Sequence, residues 1–180
     1  MQDIYEYVYV SQGKTKVDSI NDDEELEYTE DAFNVLGFSS QEKFDCYMLT
    51  AAVMACGGIQ FVQKGRDDQA ECDNTDPGSF PGKVAGALLV DGAAMIKAFC
   101  KPRIKVGTEW VTKGQTVEQA TGAVGGVARG IYDRLFKWAH LLSIISPYSY
   151  FTLSNINHFI VLLIFPQPLS CHPCDIVHMI

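Results

Sequence analysis

Three groups of residues in this sequence have types and spacings that could do chemistry. The first is Gly13-Lys14-Thr15, closing the apolar and aromatic stretch YVYVSQGKTK. A phosphate-binding loop requires G-x-x-x-x-G-K-[ST], because its first glycine lets backbone N–H groups curl around the phosphates before a helix begins. Here that position is Val8, and the residues after Thr15, KVDSINDDEELE, form an acidic, turn-rich segment that would repel a triphosphate. The stretch reads instead as a strand end and a surface turn, with Lys14 solvated. The second group is Cys171 and Cys174, a CxxC with His172 inside it and His178 beyond. A zinc centre needs a second ligand pair at finger-like spacing, and none is present, so this reads as a disordered chain end. Cys46, Cys56, Cys72 and Cys100 lack metal spacing as well and read as buried or half-buried structural thiols.

The third group lies in CKPRIKVGTEWVTKGQT. If Gly107-Thr108 is a two-residue turn, glycine at its first position suits a type II′ hairpin. Lys105 then lies opposite Trp110 and Arg103 opposite Thr112. Alternation places Ile104, Val106 and Val111 on one face and Arg103, Lys105 and Trp110 on the other. An exposed cationic face with one aromatic has the composition of an interface anchor, since Trp and Arg bury much area while keeping polar handles. A solvated hairpin whose Trp110 folds back onto the body is the alternative.

The elements that must position this hairpin are helical. Ser39-Ser40-Gln41-Glu42 is a capping box, followed by Phe44, Met48, Ala51, Ala52 and Ala55 at helical steps and by Gly57-Gly58 as a stop. TEDAFNVLGF before it predicts a short helix from Thr29 to Gly37. A brief strand is expected over residues 59–63, then a polar loop, RDDQAECDNTDPGSFPG. Residues 83–100 again have a helical pattern, broken near Asp91-Gly92 and stopped by Pro102. Thr116-Val117-Glu118-Gln119 is a second capping box, opening a helix through Trp138 with Val117, Ala120, Val124, Val127, Ile131 and Leu135 as its apolar stripe. Gly122, Gly125, Gly126 and Gly130 lack dinucleotide-fingerprint spacing, and close helix packing is the expected reason for them.

The chain of 180 residues is 47% hydrophobic, enough for a sizeable core, and its formal net charge of −8 disfavours nucleic acid and anionic membranes. Charge is unevenly spread: residues 1–100 are net −11, residues 101–138 net +4, and the last 42 residues hold only Asp175. A basic recognition surface therefore belongs to the middle region. The opening MQDIYEY lacks the basic and apolar regions of a secretory signal, so a reducing, cytoplasmic setting is expected. Past Trp138 the chain is nearly uncharged, yet its longest apolar run, residues 159–165, falls short of the roughly 20 residues of a spanning helix. A membrane span is not expected.

The texts YVSQGK, FNVLGFSSQEKFDCYMLTAAVM, KGRDDQAE, KPRIKVGTEWVTKGQTVEQ and IYDRLFKW, in this order, resemble the motor head of a muscle-type (class II) myosin heavy chain. The resemblance covers residues 3–138, a partial motor domain, and leaves 139–180 as an unrelated, poorly ordered neutral tail. It implies a mainly α fold with a small β-hairpin, a fragment of the larger α/β P-loop-type motor domain, from the upper actin-binding part between the two switch loops. Residues 101–114 then match the twisted surface loop, named after cardiomyopathy, that helps grip actin, with Lys101, Arg103, Lys105, Glu109, Trp110 and Lys113 as contact residues. The implied partners are the actin filament and the rest of the head, and the implied setting is cytoskeleton or myofibril.

ATP and magnesium serve the intact family. The family's phosphate loop G-E-S-G-A-G-K-T and its switches N-x-N-S-S-R and D-I-A-G-F-E do not occur here, so no cofactor and no catalytic residue is assigned and the chain alone is expected to be inactive. Ala55-Cys56 replaces the family's usual His-Met, the helix from Thr116 carries extra glycines, and the likeness stops at Ala139. Two readings follow: a motor fragment bearing part of the filament-binding surface, or a stand-alone, non-catalytic actin-binding or scaffold module. A third makes the neutral tail a membrane anchor.

Overall fold

The computed structural model describes residues 3–63, 68–72, 74 and 76–145. The YVYVS run does not form a strand end: Ile4–Glu6 is a 3-10 turn and Val8–Ser11 a one-turn helix, α1, with Gly13 and Lys14 exposed after it. Tyr7 is nonetheless useful, packing its ring edge-on to Phe80 at 5.9 Å.

Helix α2, Asp22–Val35, begins a full two turns before the predicted Thr29. Its cap is Asn21, whose side-chain oxygen accepts from the Asp23 N–H at 3.2 Å. Asp22, Asp23, Glu24 and Glu25 fill the first turn, where the positive end of the helix dipole favours carboxylates. An acidic run that resembles a solvated loop is thus a good helix start. The other end is where the sequence places it: Gly37, at φ 78, closes the helix while the Phe38 N–H donates to the Phe33 carbonyl at 3.0 Å.

Helix α3, Ser40–Cys56, carries the predicted capping box: the Glu42 N–H donates to Ser39 Oγ and the Ser39 N–H to Glu42 Oε2. Its buried face is Cys46, Leu49, Ala52, Ala55 and Cys56, whereas Phe44 and Ala51 are exposed and Met48 is half-buried. The predicted stripe is therefore rotated. Helix α3 packs against both of the later helices α4 (Phe80–Leu88) and α6 (Val117–Ile145), and small residues, not the largest apolar one, allow that double approach. Burial pushes the Cys46, Cys56 and Cys100 thiols up to about 11, in keeping with structural cysteines.

Strand β1, Val62–Gln63, pairs antiparallel with β2, Ala70–Glu71, which lies inside the expected polar loop. Helix α4 starts at a Ser79 cap and ends on Leu89, held left-handed at φ 57; Asp91 caps α5, Gly92–Cys100, through its carboxylate and the Ala94 N–H at 2.7 Å. The break expected near Asp91-Gly92 is this junction. Strands β3 (Arg103–Val106) and β4 (Glu109–Thr112) form the hairpin. Helix α6 has the predicted Thr116–Gln119 box, with the Gln119 N–H on Thr116 Oγ1 at 3.2 Å and the Thr116 N–H on Gln119 Oε1 at 3.1 Å.

Along α6 lie two cores. The first gathers Ala120, Val124 and Ala128 with Ile59, Phe61, Val84, Met95 and Phe99. The second joins Ile131, Leu135 and Trp138 to Phe38, Cys46 and Leu49, with Phe38 edge-on to the Trp138 ring at 5.5 Å. The helix continues seven residues past Trp138, and Ala139 and Leu142 pack on the second core. Gly122 and Gly126 do not serve close packing, since a Cβ at either would meet nothing within 4 Å, whereas one at Gly125 would lie 3.7 Å from Tyr9 Oη and one at Gly130 3.3 Å from Arg134 Nη1. Among the described residues no helix is long and apolar enough to cross a membrane. The run 159–165 and the Cys171/Cys174 motif lie outside the described residues.

Candidate interface hairpin

The hairpin is built by its turn and held by its root. Gly107 has φ 65 while Thr108 is not left-handed, as a type II′ turn requires. The register follows: Arg103 opposite Thr112, Ile104 opposite Val111, Lys105 opposite Trp110 and Val106 opposite Glu109. This is the pairing expected from the sequence. At the root, the Lys113 N–H donates to the Pro102 carbonyl and the Gln115 N–H to the Cys100 carbonyl, both at 2.9 Å. The Gln115 carbonyl in turn accepts from the Ala70 N–H at 2.8 Å. The two strands therefore leave a fixed platform made by the end of α5, strand β2 and the start of α6.

All eight ladder residues are exposed. Trp110 is 56% exposed, so it does not fold back onto the body. Arg103 lies over its ring, 5.8 Å from the centroid, a diagonal cross-strand pair of the kind worth about 0.5–1 kcal/mol at an exposed site. Lys105, directly across from Trp110, shares that face, and so does Thr112, which composition alone does not single out.

The remaining candidate residues are placed differently. Glu109 pairs with Val106 and so belongs to the opposite face, with Ile104 and Val111. Lys101 caps α5 half-buried at the root, and Lys113 is exposed where β4 ends. None of Lys101, Arg103, Lys105 or Lys113 forms an ion pair with another of the described residues. The apolar face is open as well, with Ile104, Val106 and Val111 between 40% and 58% exposed. Apolar and cationic surface side by side, on a ribbon projecting from the body, is suited to burial against a large partner with acidic groups. The described residues contain no cluster of His, Cys, Asp and Glu able to hold a metal ion. Among families of known proteins, the model described as myosin head (motor domain) matches residues 1–163.

Proposed function

Because the chain belongs to the myosin head (motor domain) family, we propose that it is part of an actin-based, ATP-driven motor and supplies the β3–β4 hairpin to the filament contact. The observation that carries this reading is the hairpin itself, rooted in the body and fully exposed, with Arg103 over Trp110 and Lys105 alongside. Lys101 and Lys113 at its base add long-range attraction for an acidic filament surface, and Glu109 with the apolar face borders the contact. The assignment to a muscle-type, class II head and to its upper central region rests on the texts quoted above. The setting is the cytoskeleton. Nucleotide chemistry is the work of other parts of the motor, since no phosphate-loop or switch text occurs in these 180 residues.

Co-sedimentation with actin filaments tests the reading, using a complete head that carries this segment. Arg103→Ala should weaken binding chiefly at low salt, because attraction between exposed charges fades as the Debye length shortens to roughly 8 Å at physiological ionic strength. Trp110→Ala should weaken it at every salt concentration, by about 2 kcal/mol if the ring is a central anchor. Unchanged affinity in both variants would remove the hairpin from the interface. The 180-residue chain by itself should hydrolyse no ATP above background, with or without filaments.

A further inference from the structure

Four of the six cysteines lie among the described residues, and two of them flank one seam beneath the hairpin. Gln115 stitches that seam: its carbonyl accepts from the Ala70 N–H at 2.8 Å, and its own N–H donates to the Cys100 carbonyl at 2.9 Å. The Gln69 side chain covers Gly114, where an added Cβ would come within 2.5 Å of its amide nitrogen, so residues 69 and 70 run alongside 114 and 115. Cys72, the residue after β2, is half-buried and packs against the core that contains Cys100, the last residue of α5. Cys46 lies in the other core. Burial comes first in holding the Cys100 thiol at about 11, and negative charge on Cys72 comes next, ahead of the opposing pull of adjacent Lys101. The two sulfurs therefore sense each other across the seam.

We propose that Cys72 and Cys100 are a redox-sensitive pair that closes to a disulfide and staples β2 to the end of α5 at the hairpin's root. Exposure divides the labour between them. Cys72 is open to a small disulfide such as oxidised glutathione, whereas Cys100, 5% exposed, is shielded from it. The Cys72 thiolate attacks one glutathione sulfur, the glutathione S–S bond breaks, and one glutathione leaves as a thiolate that takes up a proton. Cys100 then gives up its proton and attacks the Cys72 sulfur, and the mixed disulfide breaks to release the second glutathione. Two protein thiols are thereby oxidised to one disulfide, and one glutathione disulfide is reduced to two thiols. The second step is the slower, because little Cys100 is thiolate at neutral pH, so the mixed disulfide accumulates first. A disulfide needs Cα atoms about 4.4–6.8 Å apart, so its formation also measures how closely the seam draws the two residues together. Neither cysteine is among the eight exposed ladder residues, and the pair stands apart from the filament contact.

Treatment of the full 180-residue chain with oxidised glutathione, followed by peptide mapping without reduction, decides the matter. The expected course is glutathione on Cys72 first, then a Cys72 peptide joined to a Cys100 peptide, both reversed by dithiothreitol. Mapping keeps this bond distinct from any made by Cys171 and Cys174. In Cys100→Ser the adduct on Cys72 should persist, and in Cys72→Ser, a change at a half-buried site that spares both cores, Cys100 should remain a thiol. Oxidation of the unsubstituted chain should slow hydrogen exchange at the Ala70 and Gln115 amides by about threefold or more, since a staple across the seam suppresses its local opening. Cys72→Ser should abolish that slowing. An adduct on Cys72 that never resolves in the unsubstituted chain, linkage of either residue to another cysteine, thiols left unmodified, or exchange indifferent to the bond would each overturn the proposal.

Discussion

The hairpin and helix α6 make the same use of a local start signal and opposite use of their side chains. Both are launched by short-range chemistry, the Gly107 turn in one and the Thr116–Gln119 box in the other. After that they diverge. The hairpin exposes all eight ladder residues, and its geometry is settled within the ribbon by turn and register. Helix α6 buries every third or fourth residue against elements distant in the chain, so its geometry is settled by packing. Substitutions should therefore act on binding in the first region and on stability in the second.

The largest effect is expected at Trp138, 1% exposed and edge-on to Phe38. Trp138→Ala should lower unfolding stability by about 3–5 kcal/mol, read as a drop in the urea midpoint. Its buried indole N–H has no acceptor among the described residues, so Trp138→Phe, which removes that donor, should be considerably milder than the alanine change. Trp110→Ala, by contrast, should leave stability within about 0.5 kcal/mol, because it alters only exposed surface. A large destabilisation there would break the division between the two regions.

Caps and glycines come next. Ser39→Ala removes a reciprocal box and should cost about 1 kcal/mol. Gly122→Ala and Gly126→Ala should each stabilise by about 1 kcal/mol, since both sit in the helix interior with open space at the Cβ. Thermal midpoints of the single variants measure all three. If either glycine variant is destabilised, that position faces a partner in solution.

The smallest expected effect concerns the polar clasp between α2 and α3. Lys43 donates to Glu30 at 2.7 Å and to Asn34 at 3.1 Å, and Tyr47 donates to Glu30 at 2.8 Å. The Lys43 hydrogen bond, then that of Tyr47, holds the Glu30 carboxyl below its usual range. A depressed folded value stabilises at pH above the unfolded carboxyl value and is lost as pH falls through the folded one. The Tyr47 phenol is pushed up to about 12 by burial first and by Glu30 second, so its share is present below pH 10 and lost as pH rises through 12. Glu30→Gln should flatten the acid limb of stability against pH between about 3 and 5; an unchanged slope in urea titrations would show that the clasp is not populated.

What was legible in the sequence follows the same division. The register of Arg103 with Thr112, the Ser39 and Thr116 caps, the Gly37 stop and the Asp91 break each depend on residues within a few positions, and the structure has them where the sequence put them. The face of α3 was legible only in part: Ala52 and Ala55 are buried as the stripe predicts, but Phe44 is the most apolar choice locally while the double contact with α4 and α6 buries Cys46, Leu49 and Cys56. The start of α2 was missed for a different reason: the dipole's preference for Asp22 to Glu25 outweighed their resemblance to a loop. Open space at Gly122 and Gly126 also has no local signature. For the exposed hairpin no local residue names a partner, and the filament contact proposed for it rests on likeness to other heads.

The hydrogen bonds at the hairpin's root have a mechanical meaning. A four-residue ribbon extends about 13 Å at 3.3–3.4 Å per residue, and its two strands continue directly into α5 and α6. Load applied to Trp110 by anything that grips it is a bending moment on that short cantilever. The reaction falls on the Pro102, Cys100 and Gln115 carbonyls and passes into the longest helix, whose two cores resist rotation. Compliance at the tip is then set by three backbone contacts, and weakening that anchorage would soften the force path without altering a single contacting side chain.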